Sequence, residues 1–188
     1  MKIVFEYNSY DDWQNLEEIY KEMLLELSHS NNSRLKMLVA LNERTQKHIL
    51  EELSLDSDVF VKSAVARNNK TDTTILSFLS KDESDEVKEA VASNCNTSAE
   101  TLEELSENDN PKIKQIVALN PNISKKTFDK LLEDRKLWSK LIYSQYITVE
   151  ILERMAKELS QEIDIKSNLE KMFLLNRINQ ELEKLKEQ

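Results

Sequence analysis

Four lysines recur at a constant spacing of 26 residues and are the first candidates for a chemical role. They are Lys36, Lys62, Lys88 and Lys114. Ammonium groups in a row along one face can bind phosphates or an acidic protein, because each adds a positive charge. The alternative is structural, since a mostly acidic set at the same spacing precedes each next unit and can form ion pairs between units. The members of that set are Asp56, Asp82, Asn108 and Asp134.

The residue types that most often catalyse reactions or bind metals lack a supporting pattern. His29 and His48 stand in no metal-ligand spacing and have no cysteine near them, so both are predicted to be surface histidines. Cys95 is the single cysteine, which allows neither an internal disulfide nor a multi-cysteine metal cluster. A cysteine nucleophile also needs a neighbouring base, and the sequence indicates none. We therefore expect no enzyme, no cofactor and no metal site.

A 26-residue repeat, present four times within residues 32–135, must position these side chains. Seven columns of equivalent residues keep one register through the four units. The most regular column is Asn42, Asn68, Asn94 and Asn120, and the apolar columns begin with Leu35, Leu38, Val39, Ala40, Leu50 and Leu53. Apolar residues at i, i+3 and i+4 form one helical stripe, so each unit is predicted to contain two short helices. Stripes this narrow must be buried between stacked neighbours, which predicts an all-α solenoid.

Polar residues at fixed positions predict where the helices begin and end. The first helix of each unit is expected to begin after a capping residue, one of Asn32, Asp58, Ser84 and Asn110. The asparagine column is expected to end it in the left-handed conformation, because asparagine tolerates that conformation best in a chain without glycine. The second helix is expected to be capped by Thr45, Thr71, Thr97 and, one residue later in its unit, Ser124.

Residues 87–94 (VKEAVASN), followed by Asn96, Thr97, Leu102 and Leu105, resemble a repeat of the leucine-rich repeat variant family. Residues 58–82 and 111–134 match the same pattern, so the resemblance covers about residues 32–134. It implies a right-handed superhelix of alternating α and shorter, often 3-10, helices without a β-sheet. A known member of the family carries a cysteine-rich iron–sulphur segment. With Cys95 alone, this chain is not expected to hold that cofactor.

Both ends of the chain depart from the repeat, as the terminal units of a stack should. Residues 1–31 are predicted to form an acidic N-terminal cap with a half-repeat, and residues 136–161 a degenerate fifth repeat. Residues 162–188 are predicted to form a C-terminal capping helix. Its apolar residues are nearly in heptad spacing, so it can either pair with a second copy or pack back on the last repeat. They are Met172, Leu175, Ile178, Leu182 and Leu185.

Composition excludes several classes of protein. The 188 residues contain no glycine and two prolines, which nearly excludes folds that depend on glycine-rich phosphate loops. There are 26 basic and 35 acidic residues, and the net charge of −9 disfavours binding to nucleic acid or to an anionic membrane. No apolar run approaches the roughly 20 residues that span a bilayer. Together with the single cysteine, these features predict a cytoplasmic protein.

A non-catalytic protein–protein interaction module fits these features best. Its partner surface is expected among the non-core residues that differ between units, beside the four lysines. The candidates are Phe60, Arg67, Phe78 and Leu119. Phe78 stands out because its column otherwise holds two glutamates and a lysine, so it is either a binding hot spot or an edge-packing residue.

Two other functions stay open. Residues 1–31 carry a net charge of −5, so an acidic end could occupy the basic groove of a nucleic-acid-handling enzyme and inhibit it, as a defence or counter-defence protein does. Otherwise these residues form a solvated cap that aids solubility. Direct binding of nucleic acid through the four lysines is the third possibility, which the net charge disfavours.

Overall fold

The computed structural model describes residues 10–161 and 169–187, which form twelve α-helices and one 3-10 helix and contain no strand. This confirms the predicted all-α fold class. The α-helices are α1 (Tyr10–Ser28), α2 (Ser33–Leu41), α3 (Lys47–Leu53), α4 (Val59–Arg67), α5 (Thr73–Leu79), α6 (Asp85–Ser93), α7 (Ala99–Ser106), α8 (Pro111–Leu119), α9 (Lys125–Leu131), α10 (Trp138–Leu141), α11 (Val149–Ser160) and α12 (Leu169–Lys186); the 3-10 helix is Arg135–Leu137. The chain divides into two compact units, residues 1–101 (unit 1) and residues 102–188 (unit 2).

The first helices of the repeats begin at the predicted capping residues. The Oδ1 atoms of Asn32, Asp58 and Asn110 each accept a hydrogen bond from the backbone N–H two residues later, at 2.8–3.0 Å. Ser84 occupies the same position before α6, and its side chain forms no capping bond in the described structure. Pro111 is the first residue of α8, where its missing N–H costs no helical hydrogen bond.

The asparagine column ends the first helices in a way that the sequence did not indicate. The φ angles of its four members lie between −70° and −76°, and no described residue has a positive φ. The prediction of a left-handed asparagine is therefore wrong. The backbone is extended instead, and each Oδ1 accepts the N–H two residues later, which turns the chain toward the second helix.

The side-chain amides of this column connect neighbouring helices of unit 1. Asn68 Nδ2 donates to the carbonyl oxygens of Ala40 and Asn42 at 2.6 and 3.0 Å. Asn94 Nδ2 donates to Ala66 and Asn68 with the same two distances. Each asparagine thus satisfies carbonyl groups at the end of the helix before it, which have no partner within that helix.

Helix α1 takes the place of a preceding repeat at the start of unit 1. It packs on α2 and α3. Asn42, which follows no earlier repeat, donates its amide to the hydroxyl oxygen of Tyr20 in α1 at 2.6 Å. Leu24 of α1 is buried and belongs to the core. A tyrosine hydroxyl therefore supplies the acceptor that a backbone carbonyl supplies to the later asparagines.

The threonine column does not cap the second helices, so that prediction is wrong. The hydroxyls of Thr45, Thr71 and Thr97 donate backwards to the carbonyl six residues earlier, at 2.5–2.6 Å. The capping residue follows one position later. Asp72 Oδ1 accepts from Thr74 N at 3.1 Å, and Ser98 Oγ accepts from Thr101 N at 3.2 Å. Ser124 caps α9 as predicted, accepting from Thr127 N at 3.1 Å.

Most residues of the apolar columns form the core, while Leu35 and Ile116 are half-buried and Leu38 is exposed. Val61, Val65, Leu76, Val87 and Val91 are fully buried. The first helices pack in sequence, α2 on α4 and α4 on α6.

Leu38, in the column of the buried Ala64 and Ala90, is 60% exposed, so its predicted burial is wrong.

The C-terminal helix α12 packs on α11, with Ile178 fully buried in the contact. Lys186 Nζ forms an ion pair with Glu153 Oε1 of α11 at 2.7 Å. This packing back on the last repeat is one of the two roles predicted for the helix, and its pairing with a second copy stays a prediction. Residues 162–168 of the predicted helix lie outside the described residues. Within the described ranges, no helix is both long and apolar enough to cross a membrane.

We predict that Asn94→Ala lowers the free energy of unfolding by about 1–3 kcal/mol, because it removes the amide donor of the Ala66 and Asn68 carbonyls, of which Asn68 keeps the N–H of Thr71. Asn69→Ala is the matched control, since Asn69 is exposed in the preceding turn and should change stability by less than about 0.5 kcal/mol. Urea unfolding followed by circular dichroism measures both. If both substitutions lowered the free energy of unfolding equally, the hydrogen bonds of the Asn94 amide would make no specific contribution to stability.

Candidate functional site

The first two of the four recurring lysines form ion pairs with the aspartate at the end of their own repeat, in the turn that leads to the next repeat. Lys36 Nζ in α2 contacts Asp56 Oδ2 at 2.7 Å, and Lys62 Nζ in α4 contacts Asp82 Oδ2 in the same way. The aspartate side chains are only 10% and 13% exposed. Each aspartate also accepts the backbone N–H two residues later through Oδ1, at 2.8 and 2.9 Å. The ion-pair interpretation of the lysines therefore describes Lys36 and Lys62.

The other two lysines are placed differently. Lys88 lies 3.9 Å from Asp85 on its own helix, and its counterpart in the acidic column is the uncharged Asn108. Lys114, in α8 of unit 2, forms no ion pair with any described residue. Binding of phosphates by all four lysines is therefore disfavoured, because Lys36 and Lys62 would first have to leave their carboxylates.

The ion pairs change the acidity of the aspartates. Burial by itself raises the pKa of Asp56 and of Asp82. The hydrogen bonds from the lysine ammonium group and from the backbone N–H outweigh burial, so that both pKa values lie below the ordinary value of an aspartate. The carboxylates are thus ionised at neutral pH and stabilise the turn between two repeats.

The residues predicted to form a partner surface are exposed and are divided between the two units. Phe60 in α4 and Phe78 in α5 are 60% and 54% exposed, and both belong to unit 1. Arg67 is exposed at the end of α4, where its Nε donates to Ser63 Oγ at 3.4 Å. Leu119 is 56% exposed and belongs to unit 2. The exposed large side chains make these positions candidates for binding a partner.

Unit 2 contains a candidate surface that the sequence analysis missed. A pocket of about 220 Å³ lies between the turn after α8, residues 118–121, and the end of α10. Lys140 and Tyr143 line it, and the Arg177 guanidinium of α12 lies 5.9 Å from the centre of the Tyr143 ring. The sequence did contain one indication of this surface: Lys140 lies 26 residues after Lys114 and so continues the register of the lysine column. Nothing in the repeat pattern pointed to Arg177.

The histidines and the cysteine lie at the surface. His29 and His48 are both exposed, and His29 Nε2 lies 3.0 Å from Glu52 Oε1. Cys95 is exposed as well, and its Sγ is 4.0 Å from Asn96 Oδ1. Within residues 10–161 and 169–187, no three histidine, cysteine or carboxylate side chains are grouped so as to hold a metal ion.

The net charge is unevenly divided between the two units. Residues 1–101 contain 11 basic and 19 acidic residues, whereas residues 102–188 contain 15 and 16. Unit 1 thus carries −8 and unit 2 carries −1. An acidic partner is therefore repelled by the net charge of unit 1, and this net repulsion is weakest at unit 2.

Comparisons with known proteins add no assignment: no family model matches this chain, and no curated protein or solved structure matches it.

We predict that Asp82→Asn lowers the free energy of unfolding by about 1 kcal/mol at pH 7. Asparagine occurs naturally in this column at Asn108, where it accepts the N–H of Asn110 at 2.8 Å, so the substitution removes the ion pair and keeps the turn. Since the pKa of Asp82 is lower in the folded state, its contribution is present above the unfolded value of about 3.9 and is lost as the pH falls through the folded pKa.

The difference in the free energy of unfolding between Asp82→Asn and the unsubstituted protein, measured by urea unfolding, should therefore shrink as the pH falls from 5 to 2.5. Asp109→Asn is the control, because Asp109 is an exposed aspartate, and it should change stability by less than about 0.5 kcal/mol at any pH. A difference for Asp82→Asn that is as large at pH 2.5 as at pH 7 would rule out the ion pair as its cause.

Proposed function

We propose that this chain is a non-catalytic protein-binding module that works through the exposed side chains of its helical repeats. The observation that supports this most directly is the exposure of Phe60 and Phe78. The inward residues of the same helices, among them Val61 and Leu76, are fully buried and hold the outward residues in place. A phenylalanine covered by a partner contributes about 1.5–3 kcal/mol through the area that it removes from water.

The proposal includes a right-handed solenoid of the repeats with capping helices at both ends. Within unit 1, the same amide bond recurs between neighbouring repeats, from Asn68 to Ala40 and from Asn94 to Ala66. In the sequence, the 26-residue register continues through residues 102–135. Stacked repeats offer a pre-organised surface, which loses little conformational entropy when a partner binds. A cytoplasmic location is proposed with it.

A second candidate function is the inhibition of a nucleic-acid-handling enzyme by occupation of its basic groove. The concentration of negative charge in unit 1, −8 within residues 1–101, favours it. The two functions are distinguished by competition. Short DNA or RNA should displace a partner that is held through its basic groove, and should leave a partner held by Phe60 and Phe78 in place.

Affinity capture of the tagged chain from a lysate of its source cells, with and without nuclease, tests the proposed function. We expect a protein partner in stoichiometric amount that survives nuclease treatment. A partner that disappears with nuclease would point to nucleic acid, and the absence of any protein partner would contradict the proposal.

We predict that Phe78→Glu and Phe60→Glu each weaken binding of the captured partner at least about tenfold, because each removes an apolar contact worth about 1.4 kcal/mol or more. Glutamate is compatible with the fold at residue 78, since the equivalent positions hold Glu52 and Glu104.

Glu104→Gln is the matched control in the same column and should bind as the unsubstituted chain does. Circular dichroism checks that each variant is folded. If both phenylalanine variants bind with unchanged affinity, the partner surface lies elsewhere on the chain.

A further inference from the structure

The pocket of unit 2 has the size and lining to accept one apolar side chain. Its volume of about 220 Å³ is below the roughly 300 Å³ at which pockets begin to hold whole drug-sized ligands. Its walls are the turn at residues 118–121 and the end of α10 with the residues after it. Gln145 Nε2 donates to the carbonyl of Pro121 at 3.3 Å and so ties the two walls together. The pocket therefore exists before any partner binds.

Apolar surface at the mouth of this pocket is exposed to water. The Leu119 side chain is 56% exposed and the Tyr143 side chain 55%. Both residues line the pocket, so a side chain inserted there would bury its own apolar surface and theirs. Burial of such area is favourable by about 25 cal/mol for each Å² removed from water.

Two cations flank this surface without a carboxylate partner among the described residues. Lys140 is the only charged residue among those that line the pocket. Arg177 stacks on Tyr143, while Glu181, one turn further along α12, is occupied by Lys184 at 2.7 Å. Three other lysines of unit 2, Lys125, Lys126 and Lys130, are paired with Asp129, Glu103 and Glu107.

We propose that this surface of Leu119, Lys140, Tyr143 and Arg177 binds a short acidic segment of a partner protein. One aliphatic or aromatic side chain of the segment enters the pocket, and carboxylates on either side of it meet Lys140 and Arg177. A guanidinium that stacks on a tyrosine ring keeps its N–H edges for a carboxylate, which it can bind through two parallel hydrogen bonds. This inference rests on the proposed protein-binding function and names the chemistry of the partner.

Two other pockets of unit 2 lack this complementarity to an acidic segment. The pocket beside Trp138 contains Arg135 and Arg154, and both already pair with Glu158, at 2.8 and 3.9 Å. The pocket beside Phe173 is lined by a carboxylate, Glu170, as well as by Arg177. At the pocket beside Tyr143, by contrast, apolar walls and positive charge coincide without an acidic side chain among the described lining residues.

Selection of random twelve-residue peptides displayed on phage, with the full chain as bait, tests the inference. We expect the enriched peptides to share one large apolar residue flanked by aspartate or glutamate. The affinity of an enriched peptide, measured by fluorescence anisotropy, should fall at least tenfold with Lys140→Glu and with Arg177→Glu. The same peptide with its carboxylates replaced by lysines should bind the two variants better than it binds the unsubstituted chain.

Lys136→Glu is the matched control, because it makes the same change of charge at an exposed lysine of the 3-10 helix in unit 2. It should leave the peptide affinity within about twofold. The inference is overturned if no peptide is enriched, if the enriched peptides are basic, or if Lys136→Glu weakens binding as much as Lys140→Glu does. Displacement of the peptide by a 20-nucleotide single-stranded DNA that binds more tightly would assign the surface to nucleic acid instead.

The outcome for this surface is separable from that for the proposed function. Capture of a nuclease-resistant partner whose binding is unaffected by Lys140→Glu and Arg177→Glu would leave the protein-binding function standing and overturn this site. Failure to capture any protein partner would contradict the function itself.

Discussion

The hydrogen bonds donated by the asparagine amides are the interaction on which unit 1 depends. The first helices of the repeats end in extended backbone at their asparagines, so their last carbonyls need donors from beyond the helix. The threonine hydroxyl that follows adds such a bond from the same repeat, as Thr71 does to Val65, whose carbonyl also accepts the N–H of Asn68. The asparagine of the next repeat satisfies two more, as Asn94 does for Ala66 and Asn68. Each first helix is therefore completed by its neighbour, and the stability of one repeat is coupled to that of the next.

The same stacking determines which charges remain for a partner. Bringing α2 and α4 side by side places Lys36 against Asp56 in the turn that leads into α4. Lys62 and Asp82 meet in the same way one repeat later. A lysine held by a carboxylate in a partly buried turn is a structural group, so Lys36 and Lys62 stabilise the turns that lead to the next repeat. Lys140 and Arg177 of unit 2, where the repeat is degenerate, form no ion pair with a described residue and lie beside the pocket of Tyr143.

The sequence predicted most of the core and the starts of the first helices, because both depend on local pattern. The columns of Val61 and Leu76 are buried, and Asp58 caps its helix, as periodicity and capping preferences require. The roles of the asparagines and threonines were not predictable in this way. A spacing of 26 shows that a side chain recurs, but the acceptor of its hydrogen bond lies in another repeat or on the preceding helix. Tyr143 and Arg177 were missed for a related reason, since they come together from α12 and the end of α10 without any shared register.

The uneven charge also constrains how an acidic segment reaches unit 2. The chain as a whole carries −9, so such a segment is repelled before contact, and salt screens this repulsion beyond about 8 Å at physiological ionic strength. The attraction to Lys140 and Arg177 acts at contact, where exclusion of water strengthens it. Added salt weakens the repulsion and the attraction together, so the affinity varies less with salt than that of a nucleic-acid complex, which falls steeply as counterions compete. Burial of the apolar side chain then supplies most of the binding free energy, and the two cations determine which segments are accepted.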